Sequence, residues 1–308
     1  MDDHIVIGVD IGGSHITSAA VDIRTLSILP GSSVSVKVDN KAAAVDILHN
    51  WSLAINKSIE TCNPFQKVRL GFAMPGPFHY KTGLAMFARN DKYEKLFNIS
   101  IPKTLVDHIN APEIDFRFLN DATAFGVGVA SMGKAKNFNK VIAITLGTGF
   151  GSAFIEKGIP KVTGNNLPKG GCLWDKPYKE GIADDYFSTR WCIQRYQVLS
   201  GNKVTGVRDI AQADDDFSKQ VFTEFGTDMA KFMIPFLKDY RPDMIILGGN
   251  VSNASQFFLP VLRQHIEAAG LKIVFEISDL MEEAAIVGSA KLYDPVFWDA
   301  VKDDLPNL

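Results

Sequence analysis

The amino-acid sequence predicts an α/β protein of two similar halves with a cleft between them. Buried strand patterns alternate with helix patterns along the chain, as in sheets covered by helices. The strand, small-residue turn and strand VIGVDIGGSHITSAAVD, residues 6–22, recurs as VIAITLGTGFGSAFIEKG, residues 141–158, with Gly147 falling on Gly12. A unit repeated about 135 residues later indicates an internal duplication.

The first half follows this alternation from its first residues. Strand patterns occupy 4–9, 16–22, 33–38, 68–74 and 114–119. Apolar residues recur at helical spacing from Ala44 towards Ile59, and Asp39 or Asn40 is the expected N-cap of that helix. A short helix is expected near 102–110, and a helix of small residues follows Asp121.

The second half begins with the duplicated hairpin and then loses its regularity. Residues 159–190 are rich in Gly, Pro, Lys and aromatics, which predicts a loop-rich insertion over a site. The remaining elements are a helix over 216–240 with Pro235 as its kink, a strand over 243–249, a helix from Asn253, the strand KIVFEI and a helix from Glu282. A length of 308 residues favours two domains.

Composition points to a small-molecule partner and a cytoplasmic location. The 32 basic and 35 acidic residues give a net charge of −3, and no basic cluster suggests nucleic acid or a membrane surface. Three separated cysteines, Cys62, Cys172 and Cys192, predict neither a disulfide framework nor a paired-cysteine zinc site. The chain enters a strand almost at once, so we expect no signal peptide, and its apolar runs are too short for a membrane helix.

Paired glycines follow strands at three places, 12–13, 147–151 and 248–249. Without a Cβ, such a turn lets successive N–H groups approach phosphate oxygens. One turn alone is an ordinary tight turn, but three turns in two duplicated halves favour a polyphosphate ligand. Neither the Walker pattern nor GxGxxG before a helix is present, which disfavours the P-loop and dinucleotide classes.

Two carboxylates stand where chemistry would need them. Asp10 ends the first strand, where it could hold Mg²⁺ through water or simply form the turn. Asp121 begins the small-residue helix, a position at which Asp often serves as N-cap. The same carboxylate could accept the proton of an alcohol that attacks a γ-phosphate, and the two roles are compatible.

Four separated motifs, GVDIGGSHITSAAVD, LNDATAFGVGVA, ITLGTGFGSAFIEKG and IILGGNVS, resemble the ROK family of sugar kinases and sugar-responsive repressors, within the actin-like ATPase superfamily. The resemblance implies two ribonuclease H-like domains, MgATP in the interdomain cleft, and transfer of the γ-phosphate to a sugar hydroxyl. We expect the N-terminal domain to comprise 1–118 with about 290–308, and the C-terminal domain 119–289.

The resemblance also assigns site residues. Asp121 resembles the catalytic base, with Asn120 as its sugar-binding partner and Asn90 as a further residue near the sugar. The positions that resemble ATP- and phosphate-binding residues are Gly12, Gly13, Ser14, Gly147, Thr148, Gly149, Gly248, Gly249 and Asn250.

The chain departs from the family pattern at the phosphate turn and in the sugar pocket. Ser14 and His15 replace the end of the usual GGTK, and GCLWD over 171–175 replaces G-E-x-G-H. The sequence KPYKEGIADDYFS replaces the cysteine-rich zinc motif, so we expect no structural zinc. The pocket would be rebuilt around Trp174, Asp175, Tyr178, Glu180 and Asp184, unless Trp174 and Tyr178 simply pack in an ordinary lid.

An ATP- and Mg²⁺-dependent sugar kinase is therefore the leading interpretation. A repressor is disfavoured because the first ATPase strand starts by Ile5, with no helix-turn-helix segment ahead of it. A sugar-binding sensor that has lost catalysis is the alternative suggested by His15 and Cys172. A kinase that uses inorganic polyphosphate is a fourth, although no basic track favours it. A homodimer would fit the family, and the sugar itself is not specified.

Overall fold

The computed structural model describes residues 4–62, 67–88, 92–280 and 282–305. The strands are β1 (Ile5–Ile11), β2 (His15–Asp22), β3 (Ser27–Ile28), β4 (Val34–Lys37), β5 (Lys67–Met74), β6 (Phe78–His79), β7 (Leu84–Ala85), β8 (Glu113–Asn120), β9 (Lys140–Leu146), β10 (Phe150–Glu156), β11 (Ile159–Pro160), β12 (Pro177–Tyr178), β13 (Gly181–Ile182), β14 (Met244–Gly248) and β15 (Val274–Ile277). The α-helices are α1 (Ala44–Glu60), α2 (Ile101–Leu105), α3 (Asp121–Ser131), α4 (Ala183–Tyr186), α5 (Thr189–Ser200), α6 (Val207–Ala213), α7 (Asp216–Tyr240), α8 (Ser255–Ala268), α9 (Glu283–Ala290) and α10 (Pro295–Val301).

The chain divides into two compact units. Unit 1 comprises 1–136, 158–160 and 280–308, and unit 2 comprises 137–157 and 161–279. This division differs from the expected boundaries, because α3 and α9 lie in unit 1. The two helices pack backbone to backbone, since a Cβ on Gly128 would overlap the carbonyl of Ala284. Such close packing fixes both helices in the same unit.

The main sheet of unit 1 brings two predicted site residues to one edge. Its strands follow the order β3-β2-β1-β5-β8, and β4 also pairs with β2. β1 and β2 form an antiparallel hairpin, whereas β1, β5 and β8 are parallel. Asp10 pairs with Ala73, and Asn120 pairs with Met74, the next residue of the same strand. The carboxyl ends of parallel strands therefore place Asp10 and Asn120 at the same edge, one strand apart.

Unit 2 repeats this topology. β9 and β10 form an antiparallel hairpin, β14 lies parallel to β9, and β15 lies parallel to β14. Gly248 at the end of β14 pairs with Thr145 near the end of β9. The glycine turn after β9 and the glycine turn after β14 thus lie at one sheet edge, as expected from the duplication.

The helices show where local sequence rules hold and where they fail. α7 spans the predicted residues and continues through Pro235. α1 begins at Ala44 with Ala43 as its N-cap, so the expected cap at Asp39 or Asn40 is wrong. The core of unit 2 combines aliphatic residues of its strands with buried aromatic side chains from α5, α7 and α8. None of the helices formed by the described residues has the length and hydropathy of a membrane-spanning helix.

Candidate functional site

The first glycine turn, between β1 and β2, is held by its carbonyl oxygens. The Tyr93 hydroxyl donates to the Gly12 carbonyl at 2.6 Å, and the Asn40 side-chain amide donates to the Gly13 carbonyl. A trans peptide points its N–H opposite its C=O. Anchoring these two carbonyls therefore turns the N–H groups of Gly13 and Ser14 away from Tyr93 and Asn40. Such an orientation is compatible with the predicted role of this turn in binding phosphate.

His15, where the family pattern has Lys, is bonded within unit 1. Its Nε2 lies 2.6 Å from Oε1 of Glu282, and Nδ1 lies 3.3 Å from the Ser14 hydroxyl. The Thr17 hydroxyl donates to Oε2 of the same carboxylate at 2.7 Å. The imidazole therefore faces a carboxylate, whereas Lys37, an exposed residue of β4, pairs with His15 across the sheet. A turn with the family's Lys would carry an ammonium group at this position, whereas this chain carries an imidazole that contacts Glu282.

Asp10 lies at the carboxyl end of β1, partly exposed, in an acidic environment. Burial raises its pKa well above the usual range, and the negative charges of Asp121 and Glu282 raise it further. Each neighbouring carboxylate makes the ionised form of Asp10 less favourable. A divalent cation would reverse that balance, so this donor set fits Mg²⁺ held through water.

Asn120 and Asp121 divide the roles at the start of α3 in a way the sequence did not predict. Asn120 is the N-cap, because its Oδ1 accepts from the Thr123 N–H at 3.1 Å. Asp121 is instead the first helical residue, so its expected capping role is wrong. Its Oδ1 accepts from the Ala122 N–H at 2.8 Å and from Nδ2 of Asn120 at 2.9 Å.

The electrostatics of Asp121 suit a base. Burial raises its pKa above that of an ordinary aspartate. The Ala122 N–H, the positive charge of Lys92 and the Asn120 amide act in the opposite direction. The carboxylate therefore becomes more basic by desolvation while its orientation is fixed by two hydrogen bonds.

The second glycine turn, between β9 and β10, belongs to unit 2. The Thr189 N–H at the start of α5 donates to the Gly147 carbonyl at 2.8 Å. The Gly147 N–H donates to the Gly149 carbonyl at 3.0 Å, with Thr148 between them. A Cβ on Gly147 would meet no atom within 4 Å. The turn is thus held from the α5 side and open beside Gly147.

Asp184 lies against this turn. Its Oδ1 accepts from the Phe150 N–H at 2.6 Å, and its Oδ2 accepts from Nη2 of Arg190 at 2.6 Å. A Cβ on Gly149 would approach Oδ1 to 2.6 Å. Each carboxylate oxygen thus has a partner within unit 2, on the side of the expected phosphate turn.

The third turn joins β14 to a 3-10 helix that begins at Asn250. Gly249 has φ of 83°, and a Cβ there would overlap the Leu146 carbonyl. Only glycine fits this close approach, which brings the ends of β9 and β14 together. The Ser252 hydroxyl closes the turn by donating to the Gly249 carbonyl at 2.6 Å. Gly248, Gly249 and Asn250 therefore lie next to the second glycine turn.

The residues expected in the sugar pocket lie in different surroundings. Trp174 is 45% exposed, a large fraction for so large an apolar side chain. Asp175 bonds Nζ of Lys176 at 2.6 Å and keeps 44% of its side chain exposed. These two side chains remain accessible to a ligand.

Two other members of that group serve the packing of the loop-rich segment. Tyr178 packs against Phe187 and Phe232, with ring centroids 5.4 and 5.5 Å apart. Glu180 accepts from the Tyr186 hydroxyl at 2.9 Å. In unit 2, Tyr178 is therefore a packing residue, which is one of the two roles considered for it from the sequence.

Asn90 lies outside the described residues. Three residues shape the first turn although the sequence indicates no such role for them, namely Asn40, Tyr93 and Glu282. They lie 27, 81 and 267 residues from the groups they bond. No local pattern marks such partners, although the carboxylates of MEEAA at the start of α9 were a visible charge cluster.

Comparison with known proteins gives consistent matches over nearly the whole chain. A sequence model of the ROK family matches residues 6–294. The glucokinase of Thermotoga maritima is 22% identical, over 93% of this chain and 96% of that protein. The xylose repressor of Bacillus spizizenii is also 22% identical, over 96% of this chain and 78% of that protein.

A solved structure with the same fold is the ROK family glucokinase from Streptomyces griseus in complex with glucose and AMPPNP. It aligns with a TM-score of 0.71 at 21% identity and covers 94% of this chain and 98% of that one. The likeness confirms the predicted α/β fold of the actin-like ATPase type.

Proposed function

This chain belongs to the ROK family, as its four motifs predicted, and on that premise we propose that it is a sugar kinase that transfers the γ-phosphate of ATP to a sugar hydroxyl. The Asp121 carboxylate carries the proposal. It stands at the start of a helix with a raised pKa, and two hydrogen bonds fix its orientation. A repressor that only binds a sugar has no use for a base prepared in this way.

Asp121 would act as the general base. The Ala122 N–H and the Asn120 amide both hold Oδ1, which leaves Oδ2 to accept the proton of the attacking hydroxyl. A base with a pKa nearer neutrality takes a proton more readily than an ordinary aspartate. In this scheme Asn120 orients the base, and any contact with the sugar would be additional.

Asp10 and the glycine turns would hold the donor. Bound MgATP supplies the transferable phosphoryl group, and its metal ion neutralises charge during transfer. Asp10 would hold the ion through water. Gly12, Gly13 and Ser14 of unit 1 and Gly147, Thr148 and Gly149 of unit 2 would each present backbone N–H groups to phosphate oxygens. Gly248, Gly249 and Asn250 would take the adenosine side.

The sugar would meet the accessible part of the loop-rich segment. We propose Trp174 as an apolar surface for a sugar face and Asp175 as an acceptor for sugar hydroxyls, since both side chains are substantially exposed. An ionised carboxylate accepts hydrogen bonds from hydroxyl groups on both of its oxygens. No structural zinc enters this scheme, and the protein would act in the cytoplasm.

The test is ADP release from MgATP across hexoses, N-acetylhexosamines, N-acetylmannosamine and fructose, with inorganic polyphosphate as a second donor. We expect turnover of at least one sugar and a loss of roughly 100- to 10,000-fold in Asp121→Asn. Asp107→Asn, an exposed carboxylate of the same unit, is the matched control and should retain activity. Equal rates for the wild type and Asp121→Asn would refute the role of this base.

A sugar sensor with weak or no catalysis is the second candidate. The observation that favours it is the bond between His15 and Glu282, because the side chain at the position of the family's Lys faces a carboxylate. A sensor would bind a sugar in calorimetry and show no sugar-dependent ADP release. A kinase would show both.

A further inference from the structure

Arg190 is linked to the second glycine turn by one carboxylate, that of Asp184, which bonds both. Arg190 is the second residue of α5, and its side chain is 55% exposed. Nη2 lies 2.6 Å from Oδ2 of Asp184, while Oδ1 of the same group accepts from the Phe150 N–H at 2.6 Å. Guanidinium, carboxylate and turn backbone thus form one hydrogen-bonded row within unit 2.

A carboxylate in this place requires compensation if the turn binds phosphate. Asp184 packs against Gly149, so its negative charge would repel a polyphosphate on that turn. The repulsion between such charges is large in a site that excludes water. Arg190 neutralises Asp184 and keeps donors in excess, since a guanidinium has five N–H groups and this pair uses one.

The charge of the first turn differs from the family pattern. His15 stands where the family pattern has Lys, and its imidazole is bonded to Glu282 at 2.6 Å. A phosphoryl donor carries several negative charges that backbone N–H groups only partly offset. A cation beside the second turn would offset more of that charge.

We propose that Arg190 contacts the phosphoryl groups of the donor and that Asp184 is a positioning residue, holding both Arg190 and the Gly147–Phe150 turn. The inference rests on the proposed kinase function and deepens it. A planar guanidinium can donate hydrogen bonds to two phosphate oxygens at once. Asp184 thereby acts on the donor, although the family pattern had suggested a sugar contact at its position.

A purely structural role for this ion pair makes a different prediction. Exposed ion pairs contribute little to stability, so removing Arg190 would leave both the melting temperature and donor affinity nearly unchanged. A role in donor binding predicts a selective loss of donor affinity with the fold intact.

The test compares Arg190→Ala with Arg208→Ala, which removes an exposed arginine of α6 in the same unit. Calorimetry measures the affinity of each protein for AMPPNP and for adenosine, and kinetics measure KM for ATP and for the sugar. We expect Arg190→Ala to lose roughly 10- to 100-fold in AMPPNP affinity and to raise KM for ATP similarly. Adenosine affinity and sugar KM should stay within about 2-fold, and Arg190→Lys should recover part of the loss.

The outcomes separate this inference from the proposed function. If the wild type binds AMPPNP but phosphorylates no sugar, the kinase proposal fails while the comparison of AMPPNP and adenosine still tests Arg190. Equal AMPPNP affinity in the wild type and Arg190→Ala overturns the inference, as does an equal loss for adenosine and AMPPNP. For Asp184→Asn, a rise in sugar KM with an unchanged ATP KM would return that residue to the sugar and overturn its positioning role.

Discussion

The substitution Tyr93→Phe tests whether the first glycine turn is held in place for the donor. The Tyr93 hydroxyl donates to the Gly12 carbonyl at 2.6 Å, and the tyrosine is fully buried. Phenylalanine keeps the ring, including its edge contact with Trp51 at 5.5 Å and its contact with Phe87 at 5.8 Å. The substitution therefore removes only the hydroxyl, with its bond to the Gly12 carbonyl and its hydrogen-bond interaction with the Trp51 side chain.

The size of the effect follows from that single change. Leaving a carbonyl without its buried donor costs about 1–3 kcal/mol. For domains of 150–250 residues this corresponds to a fall in melting temperature of about 2–12 °C. If the turn also binds phosphate, the freed Gly12 peptide will misplace the neighbouring N–H groups. We expect KM for ATP to rise roughly 10-fold while KM for the sugar changes little.

Tyr240→Phe is the matched control. The Tyr240 hydroxyl donates to the Ile155 carbonyl at 2.8 Å in the core of unit 2, at the end of β10 opposite to the second glycine turn. Tyr240→Phe should lower the melting temperature by a similar amount and leave KM for ATP unchanged. If Tyr93→Phe behaved in the same way, the first turn would not be part of the donor site and the reasoning would be refuted.

Two further predictions concern the carboxylates of unit 1. Asp121 must be ionised to accept a proton, and its pKa is raised, so kcat/KM should fall on acidification at a higher pH than for an ordinary aspartate. Lys92→Met removes a positive charge that lowers this pKa, so it should move the fall in kcat/KM to a still higher pH. The pKa of Asp10 is raised in the folded state, so its ionised form opposes folding at neutral pH. Asp10→Asn should therefore raise the melting temperature at pH 7, with the gain shrinking as the pH falls, and should lower kcat by roughly 100-fold.

Thermal unfolding and pH–rate profiles check these two statements. Asp107→Asn again serves as the control, since it removes an exposed carboxylate of unit 1. A pH–rate profile that does not respond to Lys92→Met would exclude Asp121 as the group that controls the acidic limb. A lower melting temperature for Asp10→Asn at pH 7 would show that the Asp10 charge does not oppose folding.

The fold could be predicted largely because its signals are local. The apolar periodicity of α7 gave both of its ends, Asp216 and Tyr240. The alternation of strands and helices and the repeated hairpin predicted an α/β fold of two similar halves, and each unit contains such a sheet. The domain boundaries were harder, because the packing of α3 on α9 depends on glycines that contact each other's backbone from distant parts of the chain. Periodicity carries no information about such contacts.

The site could be predicted only in part, because the same residue types serve local and distant partners. Asn40 looks like an N-cap from its neighbours, yet its amide holds the Gly13 carbonyl. Asp121 looks like an N-cap as well, but Asn120 takes that role and directs its own amide at the Asp121 carboxylate. The capping rule was one residue off at α3 and wrong at α1, where the N-cap is Ala43, because tertiary partners decide which polar side chain bonds which backbone group.

These failures of the local rules concentrate in the candidate site. Natural sequences agree across local and tertiary levels except where function demands otherwise. The side chain of Asn40 bonds the Gly13 carbonyl and does not cap α1. The ionised form of Asp10 is disfavoured by burial and by neighbouring carboxylates, which raise its pKa. Asp184 places a carboxylate against a turn suited to anions and needs Arg190 beside it. Each arrangement costs stability or needs a compensating group, as expected of residues that are retained for a function.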